Sequence, residues 1–423
     1  MEGIVNMLKN IIVLMFVLFS SASFAIPFTI TPKGKLPTEV PRGLDETATY
    51  IVKNNTSSQR NNNYVKYLPP NVTVAPTGCS KKFNLAPGAS CELNLLVSGA
   101  VDAYDPDPHN HLFVCFQGGI SCAGLEIKNS LNVTVIEPQW VFVANQNNPT
   151  LLAENNSISK CIFHNNKFSH YSSTGSGFNM PTVIALNNAG TKAYITNFMD
   201  AGISLCDISS KDSSLMNCSK TGDGSLAMTS FGVSLNPAGD KAYVTNMFGA
   251  SVSLCDVSGV TGELSNCHGT GGYTTFSFGS HIFLTSSRAY ISAIAFDPYW
   301  VCDIESDGEL SGCIERSTGA SVSASGIIIN SNETKAYLAA TDGVYTCDID
   351  SDDGTLIDCT LADATYSLLD AIVLNKDETY LFSSINTTGE VISCKVNKTT
   401  GAVSNCQLAG SGFETPVGIA WGA

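Results

Sequence analysis

The chain has 423 residues, 43% hydrophobic and only 14% charged, with 37 acidic against 22 basic residues and a formal charge of −15. This balance argues against nucleic acid and anionic membranes as partners, because binding to phosphate needs a basic patch. The apolar content excludes a largely disordered chain, and 15 cysteines are too many for a reducing cytosol unless they bind metal.

Residues 1–25 have the features of a secretory signal peptide. Lys9 supplies positive charge, Ile11 to Phe19 form an apolar run, and Ser23-Phe24-Ala25 matches the small-x-small cleavage pattern. The alternative is a retained membrane anchor, but the apolar run falls short of the ~20 residues that a span needs. We therefore expect an exported protein, located in the periplasm, at the cell surface or in the medium, with no later transmembrane segment.

Residues 26–137 contain short β-rich runs separated by turn residues, and several runs alternate apolar and polar side chains. About seven strands in ~110 residues fit a small immunoglobulin-like β-sandwich. We expect two local disulfides here, Cys79–Cys91 and Cys115–Cys122, although spacing alone allows other pairings. The dense cluster from Asp105 to His111 is interpreted as a proline-ordered turn, with a divalent metal site as the alternative.

Residues 138–423 repeat one pattern of four short strands in about 47 residues. Lys241-Ala-Tyr-Val-Thr-Asn246 is one copy of its second strand, and an Asn-Pro-Ala-Gly turn precedes it. The repeated tyrosines are Tyr194, Tyr243, Tyr290, Tyr337 and Tyr380. Repetition of a four-strand unit of this length is the signature of a β-propeller. Counting second strands predicts six blades, with Pro416 to Trp421 closing the ring as the inner strand of the first blade. The predicted fold class is therefore all-β, a six-bladed propeller preceded by a small β-sandwich domain.

The Tyr-Ile/Val-Thr-Asn strand, preceded by Asn-Pro-x-Gly-x-Lys-Ala, resembles the YVTN-type β-propeller repeat over about two thirds of the chain. This resemblance implies a propeller fold. It implies no single function, since the family includes secreted binding proteins, surface-layer proteins and lactonase-like enzymes.

Cysteines recur in register, one in the third and one in the fourth strand of each later repeat. A hairpin brings such positions opposite each other, so five further disulfides are predicted. They are Cys206–Cys218, Cys255–Cys267, Cys302–Cys313, Cys347–Cys359 and Cys394–Cys406. The first repeat has only Cys161, because Tyr171 occupies the partner position. We expect Cys161 to be a buried free thiol, with an intermolecular bridge or a reactive site as alternatives.

No hydrolase elbow, zinc-protease motif or phosphate loop occurs in the sequence. His281 is the one histidine on a predicted inner strand, where we align it with Ser234 and expect a packing role. The acidic stretches Asp303 to Gly308 and Asp348 to Gly354 resemble half of a calcium loop but are interpreted as hairpin turns. A lactonase-type metal site at the channel mouth would need carboxylates as ligands. The candidate carboxylates do not recur at one blade position, so neither metal nor cofactor is predicted. They are Asp200, Asp297, Asp342 and Glu414.

Aromatic residues are concentrated in the loops predicted to surround one end of the propeller. Such loops often carry function, and exposed rings suit protein or glycan recognition. The predicted ligand-binding residues are Phe198, Phe248, Phe278, Phe296, Tyr299, Trp300 and Phe413. The main hypothesis is an exported, non-enzymatic binding or adhesion protein that uses this loop face. The alternatives are a lactonase-like hydrolase with a metal at the channel mouth and a structural envelope protein.

Overall fold

A computed structural model describes residues 26–69, 71–80, 82–100, 112–116, 122–146, 156–198, 200–222, 226, 229–249, 251–272, 276, 278–293, 298–318 and 323–422. The chain divides into two units, Met1–Glu137 and Pro138–Ala423. Among the described residues, strands dominate and helix is limited to one 3-10 turn, Ile127–Asn129. No helix in that part of the chain is long and apolar enough to cross a membrane.

The strands of the first unit are β1 (Phe28–Pro32), β2 (Glu39–Pro41), β3 (Asp45–Asn54), β4 (Arg60–Lys66), β5 (Val72–Gly78), β6 (Phe83–Leu85), β7 (Ser90–Ser98), β8 (Phe113–Cys115), β9 (Cys122–Gly124) and β10 (Thr134–Ile136). They form two four-stranded sheets, with strand orders β1-β3-β7-β5 and β6-β4-β8-β9, and a parallel pair of β2 and β10. Alternate residues point into the core of this unit, as Tyr50 and Val52 do from β3 and Leu93 and Leu95 do from β7.

The described part of the second unit forms six antiparallel four-stranded sheets, the blades of a β-propeller. Blade 1 consists of β34 (Pro416–Trp421), β11 (Trp140–Asn145), β12 (Ser157–His164) and β13 (Lys167–Thr174) from its inner to its outer strand, so the C-terminal strand pairs with β11. Blades 2 to 6 each use four consecutive strands, beginning with β14 (Pro181–Leu186), β18 (Ser230–Leu235), β22 (Gly279–Leu284), β26 (Ala324–Ile329) and β30 (Leu369–Leu374).

The strands of blades 1 to 3 are β11 (Trp140–Asn145), β12 (Ser157–His164), β13 (Lys167–Thr174), β14 (Pro181–Leu186), β15 (Lys192–Asn197), β16 (Ile203–Ile208), β17 (Leu215–Thr221), β18 (Ser230–Leu235), β19 (Lys241–Asn246), β20 (Ser251–Val257) and β21 (Leu264–Thr270). The strands of blades 4 to 6, with the closing strand of blade 1, are β22 (Gly279–Leu284), β23 (Arg288–Ala293), β24 (Pro298–Ile304), β25 (Leu310–Ser317), β26 (Ala324–Ile329), β27 (Lys335–Ala340), β28 (Gly343–Ile349), β29 (Leu356–Asp363), β30 (Leu369–Leu374), β31 (Tyr380–Ile385), β32 (Glu390–Val396), β33 (Val403–Ser411) and β34 (Pro416–Trp421).

The repeated residues hold neighbouring blades together. The Tyr243 hydroxyl of blade 3 donates to the carbonyl of Gly308 in the outer hairpin of blade 4, at 2.6 Å. The Thr245 hydroxyl donates to the Ser280 carbonyl on the next inner strand, also at 2.6 Å. Lys241 pairs with Asp256 across β19 and β20 within its own blade. The Tyr and Thr of the repeat therefore join blade 2 to blade 3 and blade 3 to blade 4.

The predicted disulfides are confirmed, because all seven expected pairs are bonded. In blades 2 to 6 the strand carrying the first cysteine bulges there, and the residue before the second cysteine has a positive φ. Asn, Asp and Gly tolerate that conformation best. The five positions hold these types: Asn217, Asn266, Gly312, Asp358 and Asn405. The repeated Asn-Cys sequence thus follows from the backbone that the bridge requires.

Candidate active site in the propeller channel

The inner strands of the six blades surround a cavity of about 450 Å³ in the propeller channel. Alternate residues of an extended strand share a face, and here the third residues of three inner strands and the fifth residues of all six contribute to the cavity wall. The fifth residues all line it: Ala185, Ser234, Phe283, Ile328, Val373 and Ala420. Cavities of this size, walled by apolar groups with a few polar atoms, are typical small-molecule sites.

The third residue of an inner strand lies where the inner strands of neighbouring blades approach each other closely. A Cβ atom added at Gly232 would be 2.2 Å from the Ser280 carbonyl oxygen, and one at Gly418 would be 1.8 Å from that of Thr182. Blade 4 has His281 at this position, aligned with Gly232 by strand register. The predicted alignment with Ser234 is wrong by two residues, since Ser234 corresponds to Phe283.

His281 is held in one tautomer by its surroundings. Its side chain is buried, with 8% exposure, and Nδ1 lies 2.8 Å from the Ser325 carbonyl oxygen. A carbonyl can only accept, so Nδ1 carries the proton and Nε2 carries the lone pair. Nε2 has no hydrogen-bond partner among the described residues. Burial lowers the pKa of His281 to about 4, against a weaker opposing effect of the Ser325 hydrogen bond, and the imidazole is therefore neutral at pH 7.

Asp370 is a second buried titratable group on the inner strands and lies two blades further round the ring. Its side chain is 7% exposed, and Oδ2 accepts a 3.0 Å hydrogen bond from Nδ2 of Asn386. Oδ1 has no partner among the described residues. Burial raises the pKa of Asp370 to about 7, although the Asn386 hydrogen bond opposes the shift. The sequence predicted a packing role for His281 and none for Asp370. The signal for Asp370 is an acidic side chain at the inner-strand position that holds Thr182 or Ser280 in other blades.

A row of aromatic rings begins at His281 and ends on the surface. The Phe231 ring packs edge-on against His281 with centroids 5.9 Å apart, and Phe198 contacts Phe231 at 6.0 Å. Phe248 then contacts Phe198 at 5.7 Å and Phe278 at 6.3 Å. Phe248 and Phe278 are 66% and 40% exposed, and they are the two predicted ligand-binding aromatics that the surface displays most.

Three of the other predicted ligand-binding residues do not lie on an exposed loop face. Tyr299 and Trp300 belong to β24, and the Trp300 side chain is 1% exposed within the core of blade 4. Phe413 is buried against the blade 6 and blade 1 core. The prediction that they are available for contact is wrong. Pro298 begins a strand where the sequence indicated a loop, and Phe413 packs against Phe168 and Tyr171. Phe296 lies outside the described residues.

The carboxylates considered for a lactonase-type metal do not converge. Asp200 pairs with Lys220 at 2.5 Å, and Asp342 accepts a hydrogen bond from the Tyr345 hydroxyl. Glu414 lines a separate polar cavity beside blade 1. Within the described ranges, no group of three or more His, Cys, Asp or Glu side chains is placed to hold a metal ion. Asp297 and the Asp105 to His111 cluster lie outside those ranges.

Two other expectations concern isolated features of the propeller unit. Cys161 is fully buried and unbridged, and burial raises its thiol pKa well above the ordinary value. Tyr171 stands opposite it in the fourth strand, where other blades have cysteine.

The acidic stretches beginning at Asp303 and Asp348 connect the third and fourth strands of blades 4 and 5, as hairpin turns do.

No family model matches the chain, and no curated protein matches it in sequence. Similar solved structures include the periplasmic gluconolactonase of Pseudomonas aeruginosa, with 11% identity, 74% of this chain and 94% of that chain covered, and a TM-score of 0.49. A candidate 6-phosphogluconolactonase of Bacteroides uniformis has 14% identity, covers 67% of this chain and 99% of that one, and has a TM-score of 0.47. A chain of a nidogen–laminin complex has 11% identity, 67% and 98% coverage, and a TM-score of 0.49.

These comparisons overturn the main functional hypothesis. Three of the similar structures are described as lactonases, so the expectation of a non-enzymatic binding or adhesion protein is contradicted. At such low identity the likeness shows the fold alone. The chemistry must therefore be derived from this chain's own residues.

Proposed function

We propose that the chain is a hydrolase that cleaves an ester or lactone inside the propeller channel. The observation that carries this proposal is His281, a neutral imidazole that lines the 450 Å³ cavity and whose buried Nε2 has no hydrogen-bond partner among the described residues. A strongly perturbed titratable group in a cavity is a candidate for acid–base chemistry. The low pKa of His281 keeps its imidazole unprotonated, and so able to accept a proton, throughout the neutral range.

In the proposed reaction, Nε2 of His281 takes a proton from water while the water oxygen attacks the ester carbonyl carbon. The tetrahedral intermediate then breaks its bond to the leaving oxygen, and the imidazolium returns the proton to that oxygen. The products are a carboxylic acid and an alcohol, or one hydroxy acid from a lactone. His281 is neutral again, so atoms and charge balance. The hydrogen bond from Nδ1 to the Ser325 carbonyl keeps the ring oriented and stabilises the imidazolium while it exists.

We also propose that the propeller belongs with the YVTN-type repeat proteins and that the protein is exported. The seven disulfides support export, because such bonds persist in oxidising compartments. The regular use of the repeat's Tyr, Thr and Asn in joining strands and blades supports the repeat assignment. Periplasm, cell surface and medium are all compatible with these features.

The function is tested by following hydrolysis of a panel of lactones and p-nitrophenyl esters by the oxidised protein. We expect turnover that persists in EDTA, because the proposed step uses only water and the imidazole of His281. His281→Gln should lower kcat/KM by about 10²–10⁴-fold, since a general base contributes on that order. His268→Gln is the matched control, because His268 is an exposed histidine on the fourth strand of blade 3. Full activity in His281→Gln, or loss of activity in EDTA, would contradict the proposal.

A further inference from the structure

The fifth residues of the six inner strands form a ring around the channel, which we call the apolar ring. Its members are Ala185, Ser234, Phe283, Ile328, Val373 and Ala420. Ser234 is the one member with a polar side chain. Phe283, Ile328 and Val373 are half-buried, so each presents part of its surface to the cavity.

The remainder of the cavity wall is also poor in hydrogen-bonding side chains. His281, Ser234 and the indole N–H of Trp421 supply such groups from the inner strands, whereas Asn187, Asn188 and Lys376 lie beyond the strand ends. Lys376 is the one charged side chain among the described residues that line the cavity, and it is exposed. At the level of the apolar ring few side chains could pair with the hydroxyls of a polyhydroxylated ligand, which disfavours its binding. An alkyl chain would instead remove the apolar ring from water.

We infer that the channel takes an uncharged ester or lactone with an alkyl substituent, with the alkyl group against Phe283, Ile328 and Val373 and the carbonyl carbon toward His281. This inference rests on the proposed function for the reacting group, and on the apolar ring for the substrate class. It distinguishes this site from one that takes a sugar lactone, because a sugar ring needs paired donors and acceptors at each hydroxyl. Phe283 has the largest side chain of the ring and is the residue expected to set specificity.

The test measures binding separately from turnover. γ-Decalactone and glucono-δ-lactone are the probes, and each is titrated into wild-type protein and into His281→Gln by isothermal calorimetry at pH 6. We expect γ-decalactone to bind His281→Gln at least about tenfold more tightly than glucono-δ-lactone. Ile328→Asn should weaken the binding of γ-decalactone by about tenfold or more, since it places an amide in the apolar ring. Ile357→Asn, an exposed position on β29, is the matched control and should leave binding unchanged.

The outcomes separate the two proposals. If γ-decalactone binds the channel but the wild-type protein does not hydrolyse it, the proposed function fails and the ligand class stands. If the protein hydrolyses glucono-δ-lactone at least as well as γ-decalactone, the hydrolase stands and the inferred substrate class is overturned. Failure of γ-decalactone to bind, or equal binding of both probes, also overturns it. Circular dichroism of Ile328→Asn shows whether the variant is folded, and Val373→Thr replaces it if it is not.

Discussion

Asp370 and His281 should give opposite pH dependences to the stability of the propeller unit. Asp370 has its pKa raised from 3.8 to about 7 on folding, so its contribution is fully present below pH 3.8 and is lost as pH rises toward 7. His281 has its pKa lowered from 6.5 to about 4, so its contribution is present above pH 6.5 and is lost as pH falls toward 4. Both side chains are buried, so solvent screens them little and their pKa shifts correspond to differences in folding free energy.

The magnitudes follow from the sizes of the shifts. Asp370 shifts by roughly 3 pH units, which at ~1.4 kcal/mol per unit is about 4 kcal/mol lost between pH 4 and 7. The shift of His281, roughly 2.5 units, is about 3 kcal/mol gained over the same range. The two contributions nearly cancel in the wild-type chain. Asp370→Asn removes one of them while keeping the shape of the side chain and its contact with Asn386.

We therefore expect the stability of Asp370→Asn, relative to wild type, to rise by about 4 kcal/mol between pH 4 and pH 7. His281→Gln should show the opposite trend, falling by about 3 kcal/mol relative to wild type. The assay is guanidinium unfolding of the disulfide-intact protein, followed by the fluorescence of the buried Trp300. Asp377→Asn, in the exposed turn after β30, is the control and should keep the wild-type profile. A profile for Asp370→Asn parallel to that of wild type would refute the burial argument.

Three further predictions concern the scaffold. Asn266→Val should destabilise blade 3 by about 1–3 kcal/mol, because a β-branched residue resists the positive φ of 52° before Cys267. Asn266→Gly should destabilise it less, and thermal unfolding of both variants checks this. Tyr243→Phe should lower the free energy of unfolding by about 1 kcal/mol, because it removes the hydrogen bond to Gly308. The control Tyr64→Phe, in the first unit, should leave the unfolding transition of the propeller unchanged. The thiol of Cys161 should react with an aromatic disulfide reagent only after denaturation, and rapid labelling of the native protein would contradict its burial.

The repeat made the propeller predictable, because Tyr, Thr, Asn and Cys recur where the fold needs them. The Asn of the Asn-Cys pair is constrained by its local backbone conformation. The Thr is constrained by its hydrogen bond to the inner strand of the neighbouring blade. Sequence spacing could therefore assign the cysteine pairs and the order of strands within a blade.

The site was less predictable because its properties depend on burial and on contacts between blades. Trp300 follows an Asp-Pro pair that favours a loop, yet it pairs with Ile291 inside blade 4. The raised pKa of Asp370 comes from burial in the folded ring, and its neighbours in the chain give no sign of that. His281 could be seen as an exception in the repeat, but its tautomer depends on a carbonyl of blade 5.

The most direct test of the central claim is the pH dependence of kcat/KM for hydrolysis of an alkyl lactone by the wild-type protein in EDTA. With the Nε2 lone pair of His281 as the base, kcat/KM should fall as pH decreases through about 4, and the limb should vanish in the residual activity of His281→Gln. A limb centred near 6.5, the ordinary histidine value, or one that survives in His281→Gln, would contradict the account.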